Sequence, residues 1–166
     1  MSLLPIFQWI NDTGAATYLR ESSWTYPVVM ASHLTGMALF GGMILMTDMR
    51  LLGLVMREIP VSDVVNQLRV WKRLGGALVI ACGIMLASAK AESYYHNPFF
   101  WTKMAFLMLI VIHALVFRGP VYNNAAAIDR AAKVPTIAKV AACISVVLWV
   151  GMVSMGRLIA YYEGYH

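Results

Sequence analysis

Apolar residues in this chain fall into four long runs, at about 26–56, 74–90, 99–117 and 137–160, separated by short polar clusters. About 20 residues at 1.5 Å each span a ~30 Å hydrocarbon core, so each run is expected to form a transmembrane helix. The first and last exceed a minimal span and are expected to tilt or to project a turn into the interface. Ahead of them, residues 1–23 gather Leu3, Leu4, Phe7, Trp9 and Ile10 before "NDTG" interrupts the pattern, which reads as an interfacial segment on the outer face. That segment lacks the basic start and small-residue cleavage site of a signal peptide and is expected to stay on the mature protein. "REIPVSDVV" is expected to begin a short cytoplasmic element, with Ser62 as N-cap after Pro60. Small residues recur at Gly36, Gly41 and Gly42, at Gly75, Gly76 and Gly83, and at Gly151, Ser154 and Gly156. Close helix contacts need such residues, because lipid supplies no hydrophobic drive for helix association. The predicted fold is all-α, an integral membrane four-helix bundle with an N-terminal interfacial segment.

Composition agrees with the pattern. Of 166 residues 60% are hydrophobic and 13% charged, too apolar for a soluble domain of this length. The net charge of +5 does not point to nucleic acid, since the basic residues are scattered between the spans as topology signals. Arg50, Arg57, Arg69, Lys72, Arg73, Arg118, Arg130, Lys133 and Lys139 fall on one side, and Arg20, Lys90, Lys103 and Arg157 on the other. The positive-inside rule then puts both termini on the non-cytoplasmic side of a bacterial inner membrane. Aromatic belts are expected at Trp24, Tyr26, Tyr94, Tyr95, Trp101 and Tyr161 outside and at Trp71 and Tyr122 inside. Cys82 and Cys143 lie within spans without C-x-x-C spacing, so neither a disulfide framework nor a zinc site is indicated. No paired carboxylates, Ser-His-Asp set, phosphate loop or H-E-x-x-H is present, and hydrolysis has no visible machinery.

The residues that carry chemistry are few. His33 lies nine positions past Trp24, roughly 14 Å down a helix, and His113 twelve past Trp101, roughly 18 Å down another. Ionisable residues at such depth usually face the bundle interior and mark a site. Two imidazoles on separate helices, offset by about one turn, are one way to ligate haem b iron. Cationic Lys103 and Arg157 near the outer end would then pair with the propionates, Arg157 having the better fork for a carboxylate. The same histidines also read as neutral packing residues bonded to Ser32, Thr35 or Ser145, and both cations as side chains snorkelling to the interface. Asp48 is expected to form an ion pair with Arg50 or with a basic residue on the next loop, fixing how the helix leaves the membrane. Met43, Met46 and Met49 offer soft ligands for copper or, equally, adaptable packing. His96 is expected to be solvated, and the terminal His166 disordered.

The segments "ESSWTYPVVMASHLTGMALFGGMILMTDMRLLGL", "NPFFWTKMAF" and "GRLIAYY" resemble a family of small bacterial four-helix membrane proteins known only as a domain of unknown function. Its motif residues here are Trp24, Tyr26, Pro27, His33, Gly36, Asp48, Arg50, Leu51, Leu52, Gly53, Asn97, Pro98, Lys103, Gly156 and Arg157. A looser similarity, carried by His33 and Lys103, is to copper-resistance D-type proteins and to haem-binding membrane protoporphyrinogen oxidases. The chain departs from the oxidases in having no arginine after His33 until Arg50. Two functions remain open: a haem b electron-transfer subunit with His33 and His113 as ligands, or a non-catalytic subunit anchoring a larger complex. Copper handling is a third. Expected partners are the lipid bilayer and other membrane subunits or a second copy of the chain.

Overall fold

A computed structural model describes residues 3–131 and 133–163. Two short helices open the chain, α1 (Leu4–Asn11) and α2 (Gly14–Glu21). The "NDTG" break between them is set by Thr13, which is extended and whose hydroxyl accepts from the Ala16 N–H at 3.4 Å. Then follow α3 (Thr25–Leu51), α4 (Val61–Ala89), α5 (Ala91–Tyr95), α6 (Pro98–Phe117), α7 (Ala125–Arg130) and α8 (Thr136–Glu163). Four helical stretches are long and apolar enough to cross a membrane, namely α3, α4, α8 and α6 extended through a π-helical turn at Arg118–Tyr122. No strand occurs among the described residues. The terminal His166, expected to be disordered, lies outside them.

Helix ends show why these residues stop and start where they do. Gly53, at φ +72°, closes α3: its N–H donates to the Arg50 carbonyl at 3.0 Å, and that of Leu54 to the Met49 carbonyl at 2.9 Å. This pair of bonds needs a left-handed residue, which glycine supplies without steric cost. Asn97 starts α6 by accepting from the Phe99 and Phe100 N–H groups, while its amide nitrogen donates to the Ile159 carbonyl of α8 at 3.4 Å. Pro120 has no N–H to continue α6, and the helix widens there into the π turn, with the Asn123 N–H donating to the Arg118 carbonyl at 2.8 Å.

The second span departs from expectation at its start. "REIPVSDVV" does not form a separate element; it runs into α4, so Arg69, Lys72 and Arg73 lie on the helix rather than in a loop. Nor is Ser62 the cap. Val61 and Ser62 donate their N–H groups to Asp129 Oδ1 at 2.6 Å and Oδ2 at 2.9 Å, so a carboxylate from α7 closes the helix. A negative charge at a helix N-terminus also complements the positive end of the dipole.

Packing follows the small residues. Helix α3 lies along α4 and α6 along α8, and these pairs join chiefly where α3 meets α8. Phe40 covers Gly75 and Gly76, a Cβ at Gly36 would come within 3.1 Å of Val79, and one at Gly151 within 2.6 Å of Phe106. The Trp149 indole occupies the space a side chain at Gly41 would need and meets Phe40 edge to face at 5.6 Å. The tightest apolar core is at the Asp129 end, from Leu51, Val61, Val65, Val121, Ile128 and the alanines of α8. At the opposite end α1 and α2 cover α5 and the ends of α3 and α4. Phe7 packs there on Tyr95 and Trp101 at 5.3 and 5.7 Å, and Arg20 donates to the Ala89 carbonyl at 3.1 Å. Trp9 stays 71% exposed, as an interfacial helix requires.

Two predictions follow from these contacts. Gly41→Ala forces the Trp149 ring to move and should cost about 1–3 kcal/mol. Gly42→Ala, with nothing within 4 Å of the new Cβ, should leave thermal unfolding in detergent unchanged or slightly raised. The second concerns Asp129. Partial burial raises its pKa, but the Ser62 hydroxyl, the Ser62 and Val61 N–H groups and the Arg50 charge outweigh it and hold the carboxyl below its ordinary value. A depressed folded pKa contributes stability above the unfolded value of about 4, lost as pH falls through the folded pKa. Asp129→Ala should therefore lower the unfolding temperature at pH 7, and the gap to wild type should close on acidification below about pH 4.

Candidate functional site

Two groups of polar side chains occupy the bundle interior, one toward each end. Toward the Trp24 end His33 projects from α3 and is 9% exposed. Its ring rests on α4 where Gly83 has no side chain: a Cβ there would lie 3.2 Å from His33 Cε1 and 3.8 Å from Nδ1. The Val79 carbonyl, one turn earlier on α4, lies beside the same ring. Nδ1 is buried without a hydrogen-bond partner. Buried polar atoms are rarely left so, and each instance calls for an explanation. Lys103 completes this group from α6: its Cε and Nζ each lie 3.7 Å from where a Cβ at Gly156 of α8 would be, and its charge reaches His33. Arg157, the neighbour of Gly156, turns the other way. It is exposed, donates to the Tyr161 hydroxyl at 3.4 Å and stands 4.9 Å over the Tyr161 ring.

His113 does not join them. It is also 9% exposed, but its Nε2 donates to the Ala141 carbonyl of α8 at 2.9 Å and its ring packs on Phe117 at 4.8 Å. It lies ten residues beyond Lys103 on the same helix, ~15 Å at 1.5 Å per residue. The antiparallel pairing of α6 with α8 explains the separation, because Lys103 meets Gly156 whereas His113 meets Ala141, near the start of α8. His113 thus stands with Ala141 of α8, ~15 Å along α6 from the Lys103 whose charge reaches His33. Ser145 does not serve His33 either.

Toward the Asp129 end the interior holds Thr47, Asp48, Lys72, Tyr122 and Ser145. Asp48 is 1% exposed, with Oδ2 lacking a partner, and the Ser145 hydroxyl and the Lys72 charge act on its carboxyl. Lys72 Nζ donates to Thr47 Oγ1 at 3.0 Å, and the Thr47 hydroxyl donates to the Met43 carbonyl at 3.0 Å. The cation that acts on Asp48 is neither Arg50 nor a loop residue but Lys72, which lies within helix α4. Arg50 instead donates to the Ile59 carbonyl at 2.7 Å and to that of Arg57 at 3.4 Å. Sequence reasoning placed Lys72 in a loop and overlooked Trp149. A signal for Lys72 exists, since Val65, Lys72, Val79 and Leu86 recur at seven-residue spacing and mark the inward face of α4.

The methionines do not converge. Met43 packs its Cε toward Gly75, whereas Met46 is exposed. Among the described residues no three His, Cys, Asp or Glu side chains are grouped to hold a metal ion. Cys82 is buried and Cys143 exposed, and both are free.

Four membrane-length apolar helices with ionisable groups turned inward define a multi-pass helical membrane protein. The chain belongs to a family of unknown function, DUF6644, whose model matches residues 7–162. No curated protein and no solved structure matches it.

The Asp48 cluster yields a direct test. Lys72→Met removes the cation facing a buried carboxylate and should destabilise the protein by about 3 kcal/mol. Adding Asp48→Asn removes the stranded charge and should restore most of that loss, measured as a double-mutant cycle on thermal unfolding in detergent.

Proposed function

We propose that this protein is a haem b-binding subunit for electron transfer in a bacterial inner membrane, in which His33 would hold the iron. The carrying observation is the buried Nδ1 of His33, which has no partner in the fold. A buried imidazole with a nitrogen to spare fits an iron ligand, the remaining ring nitrogen being oriented by a carbonyl such as that of Val79. Lys103, turned into the interior beside His33, suits a propionate, and Arg157 offers a second cation at the surface one residue from Gly156. Bound haem supplies one-electron redox chemistry, and the surrounding helices contribute ligation, burial and charge that set its potential. His113, committed to the Ala141 carbonyl, is left to packing in this reading. The basic residues at the Asp129 end favour that end as cytoplasmic, with α1, α2 and α5 outside.

The second reading is a non-catalytic anchoring subunit of a larger membrane complex. Its support is that each histidine already serves a helix pair, His33 between α3 and α4 and His113 between α6 and α8.

A pyridine haemochrome assay on protein purified from haem-replete cells separates the two. The haem reading expects a Soret band that His33→Ala abolishes, that Lys103→Gln weakens or shifts, and that His113→Ala preserves. Protein that folds normally yet carries no haem, even after hemin is supplied, overturns it in favour of the anchoring reading.

A further inference from the structure

At the Asp129 end, away from both interior groups, a cavity of about 370 Å³ opens where α3, α4, α7 and α8 come together. Four cations line it: Arg50 from the last turn of α3, Arg57 from the following loop, Lys133 from the segment after α7, and Lys139 from the first turn of α8. Among the described residues its one acidic lining residue is Asp129. That carboxylate receives the Val61 and Ser62 N–H groups and the charge of Arg50, so Arg57, Lys133 and Lys139 remain in excess of the acidic charge in the lining. The cavity is therefore strongly electropositive.

The arginines are held in place. Arg50 is fixed by the carbonyls of Ile59 and Arg57, and Arg57 by that of Gly53, which leaves their remaining N–H donors for an anion. Arginine forks match phosphate geometry, and the lysines add compact charge. The loop that carries Arg57 also bears an apolar lip, with Leu54, Val55 and Ile59 at 61, 41 and 42% exposed. The cavity lies at the ends of membrane-length helices, the level of lipid headgroups. Basic pockets between helix ends at this level suit anionic lipid headgroups, and the exposed lip suits the upper part of acyl chains.

We infer that this cavity is a binding site for the phosphate of an anionic phospholipid, held by Arg50, Arg57, Lys133 and Lys139, with Leu54, Val55 and Ile59 against its chains. A soluble phosphate shares the charge chemistry but would make no use of the apolar lip. The site is independent of any cofactor at His33.

The full chain in nanodiscs of phosphatidylcholine, titrated with phosphatidylglycerol and read by native mass spectrometry, tests the inference. Wild type should retain one phosphatidylglycerol in preference to phosphatidylcholine. The double variant Arg57→Gln/Lys139→Gln should bind it roughly 30-fold more weakly, the factor expected for two basic residues at a headgroup. Arg73→Gln, an exposed cation on α4 outside the cavity, should bind as wild type. Circular dichroism and unfolding temperature establish that the variants fold. Retention unchanged in the folded double variant overturns the site. Displacement of the lipid by millimolar inorganic phosphate, with Leu54→Ser having no effect, overturns the lipid as its occupant.

Discussion

Trp149 fills the space that any side chain at position 41 would occupy, and this contact governs how the two halves of the protein meet. Helices α3 and α4 form one close pair and α6 and α8 another, each joined along glycines. Between the pairs the main backbone approach is that of α3 to α8, and the indole is its centre. In lipid the apolar surfaces of two helices gain nothing by leaving solvent, so association depends on fit and on dispersion contacts. A large flat ring set against bare helix backbone supplies both. The large aromatic and the missing side chain are each specific to their position: Gly42, next in the chain, has open space beside it.

That arrangement explains why the interior carries two polar groups rather than one. Antiparallel pairing sets Lys103 beside Gly156 and His113 beside Ala141, so Lys103, whose charge reaches His33, and His113 stand at different levels of the α6–α8 pair. Each then meets a backbone surface made accessible by a small residue, Gly83 for His33 and Ala141 for His113. Asp48 and Lys72 meet by the same logic, from α3 and α4, with Ser145 entering from α8. The differences among these groups are informative. His113 is bonded, Lys72 is bonded, and among the described residues the buried side-chain atoms left without partners are His33 Nδ1 and Asp48 Oδ2.

Helix number and approximate spans were legible because unbroken apolar length is a strong signal that depends on no distant residue. The cap at Gly53 is likewise local chemistry, although it was not read from "RLLGL". The partner of His113 was not legible, because counting from Trp101 gives a depth along α6 and says nothing of which backbone the ring meets. The register instead follows from which residues of α6 face the gaps in α8, a property of pairs that a single helix does not display. Lys72 was misplaced for a related reason. Hydropathy starts the second span at Leu74, whereas α4 begins at Val61 and carries the charged turn inside the bundle. The Asp129 cap lay beyond local rules altogether, its partners being 67 and 68 positions away.

That distant cap bears on the order in which the protein is made. When α3 and α4 emerge during synthesis, the residue that closes the start of α4 has yet to be translated. The first hairpin must therefore enter the bilayer with two N–H groups at its turn still served by water, and α7 completes them once the third span is in place. The start of α4 thus stays without its carboxylate cap through half of biogenesis and is closed only as the chain turns back toward α8.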